Sequence, residues 1–304
     1  MTLPPTQSQP RLGIGIISAG RVGAVLGAAL RAAGHAITGV HAVSDESRTR
    51  AETLLPDVPV LEPEEICRRS ELVLFAVPDD ALAPLVSGLA ENGHLQMGQL
   101  LIHTSGKYGT EVFSPAAAKG CIGLAIHPIM TFTGMSLDLT RLIDCPFGVT
   151  APATVLPIAQ ALVVEMGGEP VTIAEADRPR YHLALAHGSN HLVTVVAQAT
   201  EQLAACGIEE PAAAIGPLLR ASLENALASG QNALTGPISR GDVGTLAAHL
   251  DVLADPGIPD DLRAAYRALA EATALRAVET GKLSAHLAAP ILALLSENDS
   301  KEQS

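Results

Sequence analysis

The sequence predicts an α/β protein: a doubly wound, mainly parallel sheet followed by an all-helical C-terminal domain. Three observations carry this reading. Short apolar runs alternate with helix-length segments as far as residue 174, the runs are continuous in polarity, and only helical periodicity remains beyond them. Alternating strands and helices specify a parallel sheet covered on both faces. Strands buried on both sides carry unbroken apolar runs. The expected domains are 11–174 and 175–296.

Leu12–Ser18 (LGIGIIS) is a strand that ends in a glycine turn, Arg21–Ala33 a helix closed by Gly34, and Ala36–Val43 the second strand. Leu72–Val77, Leu100–His103 and Ile122–Ile126 supply the next three. Phe147–Thr150, a helix around Val155–Met166 and Pro170–Ile173 complete a further strand–helix–strand unit. From Arg178 to Leu295 the helical pattern breaks at Gly207, Gly230, Thr235–Gly244 and Asp255–Pro259. Met1–Pro10 and Glu297–Ser304 lack periodicity and read as frayed ends.

With 304 residues, 48% of them hydrophobic and 17% charged, the chain can bury the cores of two ordinary domains. A net charge of −13 argues against nucleic acid as a partner and disfavours anionic membrane surfaces. The uncharged stretch Cys145–Val164 is broken by prolines, and Tyr181–Thr200 is studded with polar residues, so neither reads as a membrane span. Cys67, Cys121, Cys145 and Cys206 are widely spaced without a C-x-x-C pair. They read as buried free thiols of a reducing compartment. The start MTLPPTQSQP has neither a basic n-region nor an apolar core, so the expected location is cytoplasmic.

Ser18-Ala19-Gly20-Arg21-Val22-Gly23 follows the first strand and opens the first helix. It resembles the G-x-G-x-x-G dinucleotide fingerprint with Ser18 in the first glycine position, which makes the sheet domain Rossmann-type. Gly20 lets backbone N–H groups at the helix start face a pyrophosphate, and Gly23 lets the helix pack closely on the strand. At the end of the second strand no acid stands where a ribose 2′-hydroxyl would need one. Ser44, Ser47 and Arg48 suit a 2′-phosphate, so NADP is expected rather than NAD, with Asp45 and Glu46 arguing the other way. Val77 and Pro78, after the third strand, are expected to border the cofactor, with Asp79 or Asp80 capping the next helix.

Ligands of open α/β sheets bind beyond the carboxyl ends of the strands. His103-Thr104-Ser105-Gly106-Lys107 and His127-Pro128 occupy such ends, which makes Ser105 and His127 site candidates. His127 reads either as a proton donor of near-neutral pKa or as a turn residue with a satisfied ring. In the helix starting at Tyr181, His182, Ala186, Ser189, Asn190 and Val193 share a face. That face fits a substrate cleft, a buried polar network or an oligomer contact. His187 and His191 stand at i,i+4, but without a third ligand no metal is expected. In NALTGPISRGD (232–242), Arg240 is a candidate carboxylate clamp or a structural ion pair, and Asp242 the N-cap of Val243–Leu253.

Taken together, SAGRVG, AVPDDAL, HTSGKYG, AIHPIMTF, YHLALAHGSN and NALTGPISRGD resemble a family of two-domain NAD(P)-dependent oxidoreductases. These pair a Rossmann-like domain with a helical domain of unknown function. The architecture is similar to ketopantoate reductases, pyrroline-5-carboxylate reductases and prephenate dehydrogenases. Ser105-Gly106-Lys107 and His127-Pro128 resemble the serine and histidine segments of the last of these. The resemblance implies a homodimer formed through the helical domain. For some members it implies reduction of ketopantoate to pantoate. The expected reaction is therefore NADP-dependent reduction of a small 2-oxo acid, ketopantoate first. His127 or His182 would supply the proton, Ser105 and Asn190 orient the carbonyl, and Arg240 bind the carboxylate. Imine reduction of the pyrroline-5-carboxylate type and a non-catalytic dinucleotide-sensing dimer are the alternatives.

Overall fold

The structure, a computed structural model, describes residues 11–302, with side chains as far as 296. The frayed start expected at 1–10 lies outside the described residues. Seven strands form one sheet: β1 (Gly13–Ile17), β2 (Ala36–His41), β3 (Leu72–Phe75), β4 (Leu100–His103), β5 (Ile122–Pro128), β6 (Pro146–Thr150) and β7 (Glu169–Thr172). Their order is β2-β1-β3-β4-β5-β6-β7. Every neighbouring pair is parallel except β5 and β6, so the last two strands run against the first five. The chain reverses direction across the sheet between β1 and β3, and such a switch point opens a crevice at the strands' carboxyl ends.

The helices of this region are α1 (Arg21–Ala32), α2 (Asp45–Leu54), α3 (Pro63–Arg69), α4 (Asp79–Glu91), α5 (Ser114–Ala117), α6 (Leu137–Arg141) and α7 (Leu156–Glu165). One face of the sheet buries Ile14, Ile16 and Val40 against α1 and α7. The other buries Ile17, Val73 and Phe75 against α3 and α4, with Phe113 beneath. α1 is buried without a break from Gly23 to Leu30. It lies so close to β1 that a Cβ at Gly27 would collide with Ile16 Cδ1. Its end is set by Gly34 at φ +97°, a conformation that L side chains rarely adopt.

Beyond the sheet run α8 (Arg178–Ala205), α9 (Pro211–Ser229), α10 (Pro237–Arg240), α11 (Val243–Leu253), α12 (Asp260–Glu279) and α13 (Ala285–Glu302). α13 continues through six of the positions expected to fray, because its backbone bonding persists past residue 296. The chain divides into two compact units, up to Gly188 and from Ser189. The boundary falls inside α8, whose first turn is tied to the sheet by Arg178. The second unit has its own core of Ile238, Leu246, Leu250, Ala274 and Ile291. Asp242 caps α11 by accepting from the Thr245 amide at 3.0 Å and the Thr245 hydroxyl at 2.7 Å. No residue of α9 is buried. Cys67, Cys121 and Cys145 are buried thiols, but Cys206, expected to be buried, is exposed just past the end of α8. Among the described residues no helix is long and apolar enough to cross a membrane.

Candidate functional site

The turn from β1 to α1 carries an anion-accepting helix end. Ser18 adopts φ +81°, the left-handed backbone normally left to glycine, which accounts for the usual glycine in the position it fills. Gly20 is the extended N-cap of α1, with no side chain bonded to the helix end and no acid in its first turn. The first N–H groups of the helix therefore keep their capacity for a ligand, and the helix dipole favours an anion there. A Cβ at Gly20 would find nothing nearer than Ser18 Oγ at 3.4 Å, whereas at Gly23 it would collide with the Ser18 carbonyl oxygen. Gly20 leaves room over the turn, and Gly23 permits the close packing that the fingerprint requires.

Neighbouring elements fix this turn from outside. The Ala19 amide donates to the His41 carbonyl at 2.8 Å, and Arg50 Nη1 donates to the Ala19 carbonyl at 2.9 Å. Arg50 packs with the exposed Arg21 against Gly134, where a Cβ would approach Arg50 Cδ to 2.9 Å and Arg21 Cγ to 3.1 Å. Asp138, fully buried, shapes that loop by accepting from the amides of Thr133 and Gly134, each at 2.8 Å. Burial alone would raise its pKa, but these donors hold the carboxyl below its usual range. Val22 is half-buried on α1. Val77 is half-buried and Pro78, exposed, is the N-cap of α4. Asp79 and Asp80 therefore lie in the first turn of α4, where they suit the dipole without being its cap.

At the end of β2 the 2′-phosphate candidates are already engaged locally. Ser44 Oγ accepts from the Ser47 amide at 3.2 Å, Ser47 Oγ donates to the Ser44 carbonyl at 2.7 Å, and Arg48 Nε donates to the Val43 carbonyl at 3.4 Å. They form the N-terminal cap of α2, so their first role is structural.

A second cluster forms where β4 and β5 end. His103, fully buried, donates from Nε2 to the Gly109 carbonyl at 2.8 Å and accepts at Nδ1 from the Ser105 amide at 3.2 Å. It is the keystone of the 103–109 loop rather than a reacting group. Ser105 Oγ accepts from the amides of Lys107 (3.2 Å) and Tyr108 (3.3 Å), which leaves its proton available to a ligand. Glu175 closes the loop's far side by accepting from the Thr110 amide (2.9 Å), its hydroxyl (3.0 Å) and the Glu111 amide (3.2 Å).

His127 Nδ1 lies 2.7 Å from the Tyr181 hydroxyl, the two rings meeting edge-on. A Cβ at Gly106 would stand 3.0 Å from His127 Nε2 and 2.9 Å from His182 Cδ2, so both imidazoles converge on the Ser105 loop. Burial first, then the charge of Arg178, pushes the pKa of His127 down to about 4. This corrects the expectation of a near-neutral proton donor: at pH 7 the ring is neutral and offers one N–H. Burial raises Tyr181 to about 12, so it also stays protonated.

Residues 1–128 match the family model described as a Rossmann-like domain, and residues 145–273 match the domain of unknown function DUF2520. The chain is a two-domain protein of Rossmann-like plus DUF2520 architecture. Among solved structures it is similar to a protein of Bacteroides fragilis provisionally described as an NADP oxidoreductase. The identity is 22% and the TM-score 0.72, with 87% of this chain and 98% of that chain covered. An imine reductase from a Pseudomonas species is 15% identical, with a TM-score of 0.63 and coverage of 94% and 100%. A pyrroline carboxylate reductase of Plasmodium falciparum with NADP bound is 13% identical, with a TM-score of 0.55 and coverage of 89% and 97%. No curated protein matches the sequence.

Within this two-domain chain, Ser105, His127 and His182 come together in the first unit. Asn190 and Arg240 belong to the second, where both are exposed, Asn190 on α8 and Arg240 at the end of α10. Among the described residues no three His, Cys, Asp or Glu side chains group as a metal site. The sequence reading passed over Arg50, Arg178 and Tyr181. Only the fold reveals them, because a charged or phenolic residue on a helix reads as solvated. The one available signal was the aromatic Tyr181 directly before His182.

Proposed function

We propose that the protein is a nicotinamide-dinucleotide-dependent oxidoreductase that reduces a small 2-oxo acid with NADPH, ketopantoate being the first substrate to test. One observation carries this reading. An anion-accepting helix end and a group of neutral hydrogen-bond donors stand at carboxyl ends of strands in the same sheet. The open face of Gly20, the uncapped start of α1 and the neighbouring Arg21 and Arg50 fit a pyrophosphate. The hydroxyls of Ser44 and Ser47 with Arg48 are the groups proposed to favour a 2′-phosphate.

The bound nicotinamide would supply a hydride. The chain's own residues would hold the acceptor: the Ser105 hydroxyl and the His127 Nε2–H donate to its oxygen or nitrogen, and His182 delivers the proton. Imine reduction is the second reading, favoured by the likeness to an imine reductase and a pyrroline carboxylate reductase. A neutral donor pair serves a C=N bond as well as a C=O bond.

The deciding experiment follows NADPH and NADH absorbance side by side with ketopantoate and pyrroline-5-carboxylate. Oxidation of NADPH by ketopantoate is expected. Turnover of the imine alone would select the second reading. Tight binding with no oxidation of either coenzyme would leave a dinucleotide sensor.

The proposed partner is a second copy of the chain. α9 buries none of its residues, yet it exposes Leu218, Leu223 and Leu227, and α8 exposes Leu192 and Val193. Exposed apolar groups of this size on two consecutive helices support an interface between copies. Sedimentation should give twice the 31.2 kDa chain mass, and a monomer at micromolar concentration would reject the dimer.

A further inference from the structure

We infer that Tyr181 is the positioning residue for His127, held in place by Arg178, and that together they present the His127 Nε2–H to the acceptor of the reaction proposed above. The inference rests on that reading for the acceptor, but the arrangement of His127 is testable without it.

Tyr181 Oη and His127 Nδ1 lie 2.7 Å apart, and one of them gives the proton of that bond. Tyr181 is pressed onto β6 so closely that a Cβ at Gly148 would stand 2.5 Å from the Tyr181 oxygen. The phenol is protonated and half-enclosed there, and His127 Nδ1 at 2.7 Å is the hydrogen-bond partner its oxygen has, so its single proton turns towards Nδ1. An imidazole that accepts at Nδ1 while neutral carries its hydrogen on Nε2. Nε2 is the atom that points at Gly106, beside His182 and next to Ser105.

Arg178, 1% exposed, keeps Tyr181 there. Its Nε donates to Thr150 Oγ1 at 2.7 Å, and its Nη2 to the carbonyls of Ala125 (3.1 Å) and Gly148 (3.0 Å). It thus clasps β5 and β6 at the two residue pairs Ala125–Thr150 and His127–Gly148. Its guanidinium carbon lies 5.6 Å from the centre of the Tyr181 ring, close enough for a cation–π contact. Nη1 is buried and has no hydrogen-bond partner.

A buried cation with an unsatisfied donor is costly, and the three hydrogen bonds to β5 and β6 offset part of that cost. The charge held there bears on His127. Around that ring stand Arg178, Tyr181 and His182 of α8, His103 of β4 and Asp79 of α4. Among them Arg178 opposes protonation most, while Asp79 alone favours it. Tyr181 and Arg178 act through His127, so neither is placed against substrate.

The test is nitrogen-15 NMR of the full-length labelled protein, with the His127 signals assigned by their loss in His127→Gln. The expected wild-type spectrum shows the Nε2–H tautomer and a ring that stays neutral on acidification until near its value of about 4. In Tyr181→Phe, which keeps the ring and loses only the hydroxyl, His127 should become a mixture of tautomers. With whichever substrate proves active, kcat should fall about tenfold or more while NADPH affinity is unchanged. An Nδ1–H tautomer in the wild type, or an unchanged His127 spectrum in Tyr181→Phe, would overturn the inference. So would a shifted tautomer with undiminished kcat. If no substrate is reduced, the function proposed above fails while the spectrum still decides how His127 is held. A folded Arg178→Lys variant with wild-type His127 signals would remove Arg178 from the arrangement.

Discussion

The turn between β1 and α1 and the cluster at the ends of β4 and β5 belong to one sheet, but they are built in opposite ways. The turn uses consecutive residues and works through its backbone: a left-handed Ser18, an open Gly20 and a Gly23 without room for a side chain. The cluster works through side chains drawn from distant segments, with His127 and Tyr181 54 positions apart. Backbone shape recognises the phosphate that dinucleotides share, whereas placed donors can select a particular acceptor. On the proposed function, the coenzyme end is generic and the reacting end particular.

The largest test of that contrast is Gly23→Ala. Its Cβ would collide with the Ser18 carbonyl oxygen, so α1 must shift away from β1. A loss of about 2–4 kcal/mol of stability is expected, read by urea melts, together with at least about tenfold weaker NADPH binding. Wild-type melting and binding would show that the turn tolerates what its geometry forbids.

A second effect belongs to the cluster alone. His103 and His127 are both pushed down to about 4, by burial first in each case. In the unfolded chain they titrate at ordinary histidine values, so the unfolded state takes up protons first as pH falls. Stability is then fully present above about pH 6.5 and declines as pH drops towards 4. The decline should be on the order of a few kcal/mol, read by denaturant midpoints at successive pH values. A flat midpoint across that window would mean that the two rings are more hydrated than their packing shows.

The same contrast explains what could be read from the sequence. The strands were visible as apolar runs and match the structure to within one or two residues at most ends, as β4 does at Leu100–His103. The glycine turn was visible because its chemistry is local. Ser105 and His127 could be nominated from their places after strands. Their partners could not: nothing in the sequence distinguishes Arg178 from a solvated helix-start arginine, and its burial follows only from the reversed pairing of β6 with β5. The lowered pKa of His127 was hidden for the same reason, since it depends on what packs around the ring. Short helices such as α6 escaped notice because Asp138, the buried carboxylate that organises its start, looks like any surface aspartate.

The carboxylate of Glu175 fastens a loop whose amides lie 65 positions earlier in the chain. Closing so long a loop costs entropy before it returns any contact, and contacts of high sequence separation form late. As the chain leaves the ribosome, the first glycine turn can settle once β1, α1 and β3 have emerged. The Ser105 loop must wait for the approach to α8. A nascent chain stopped short of residue 175 would carry the first glycine turn without the carboxylate that fastens the Ser105 loop, so the two parts of the proposed site would mature at different times.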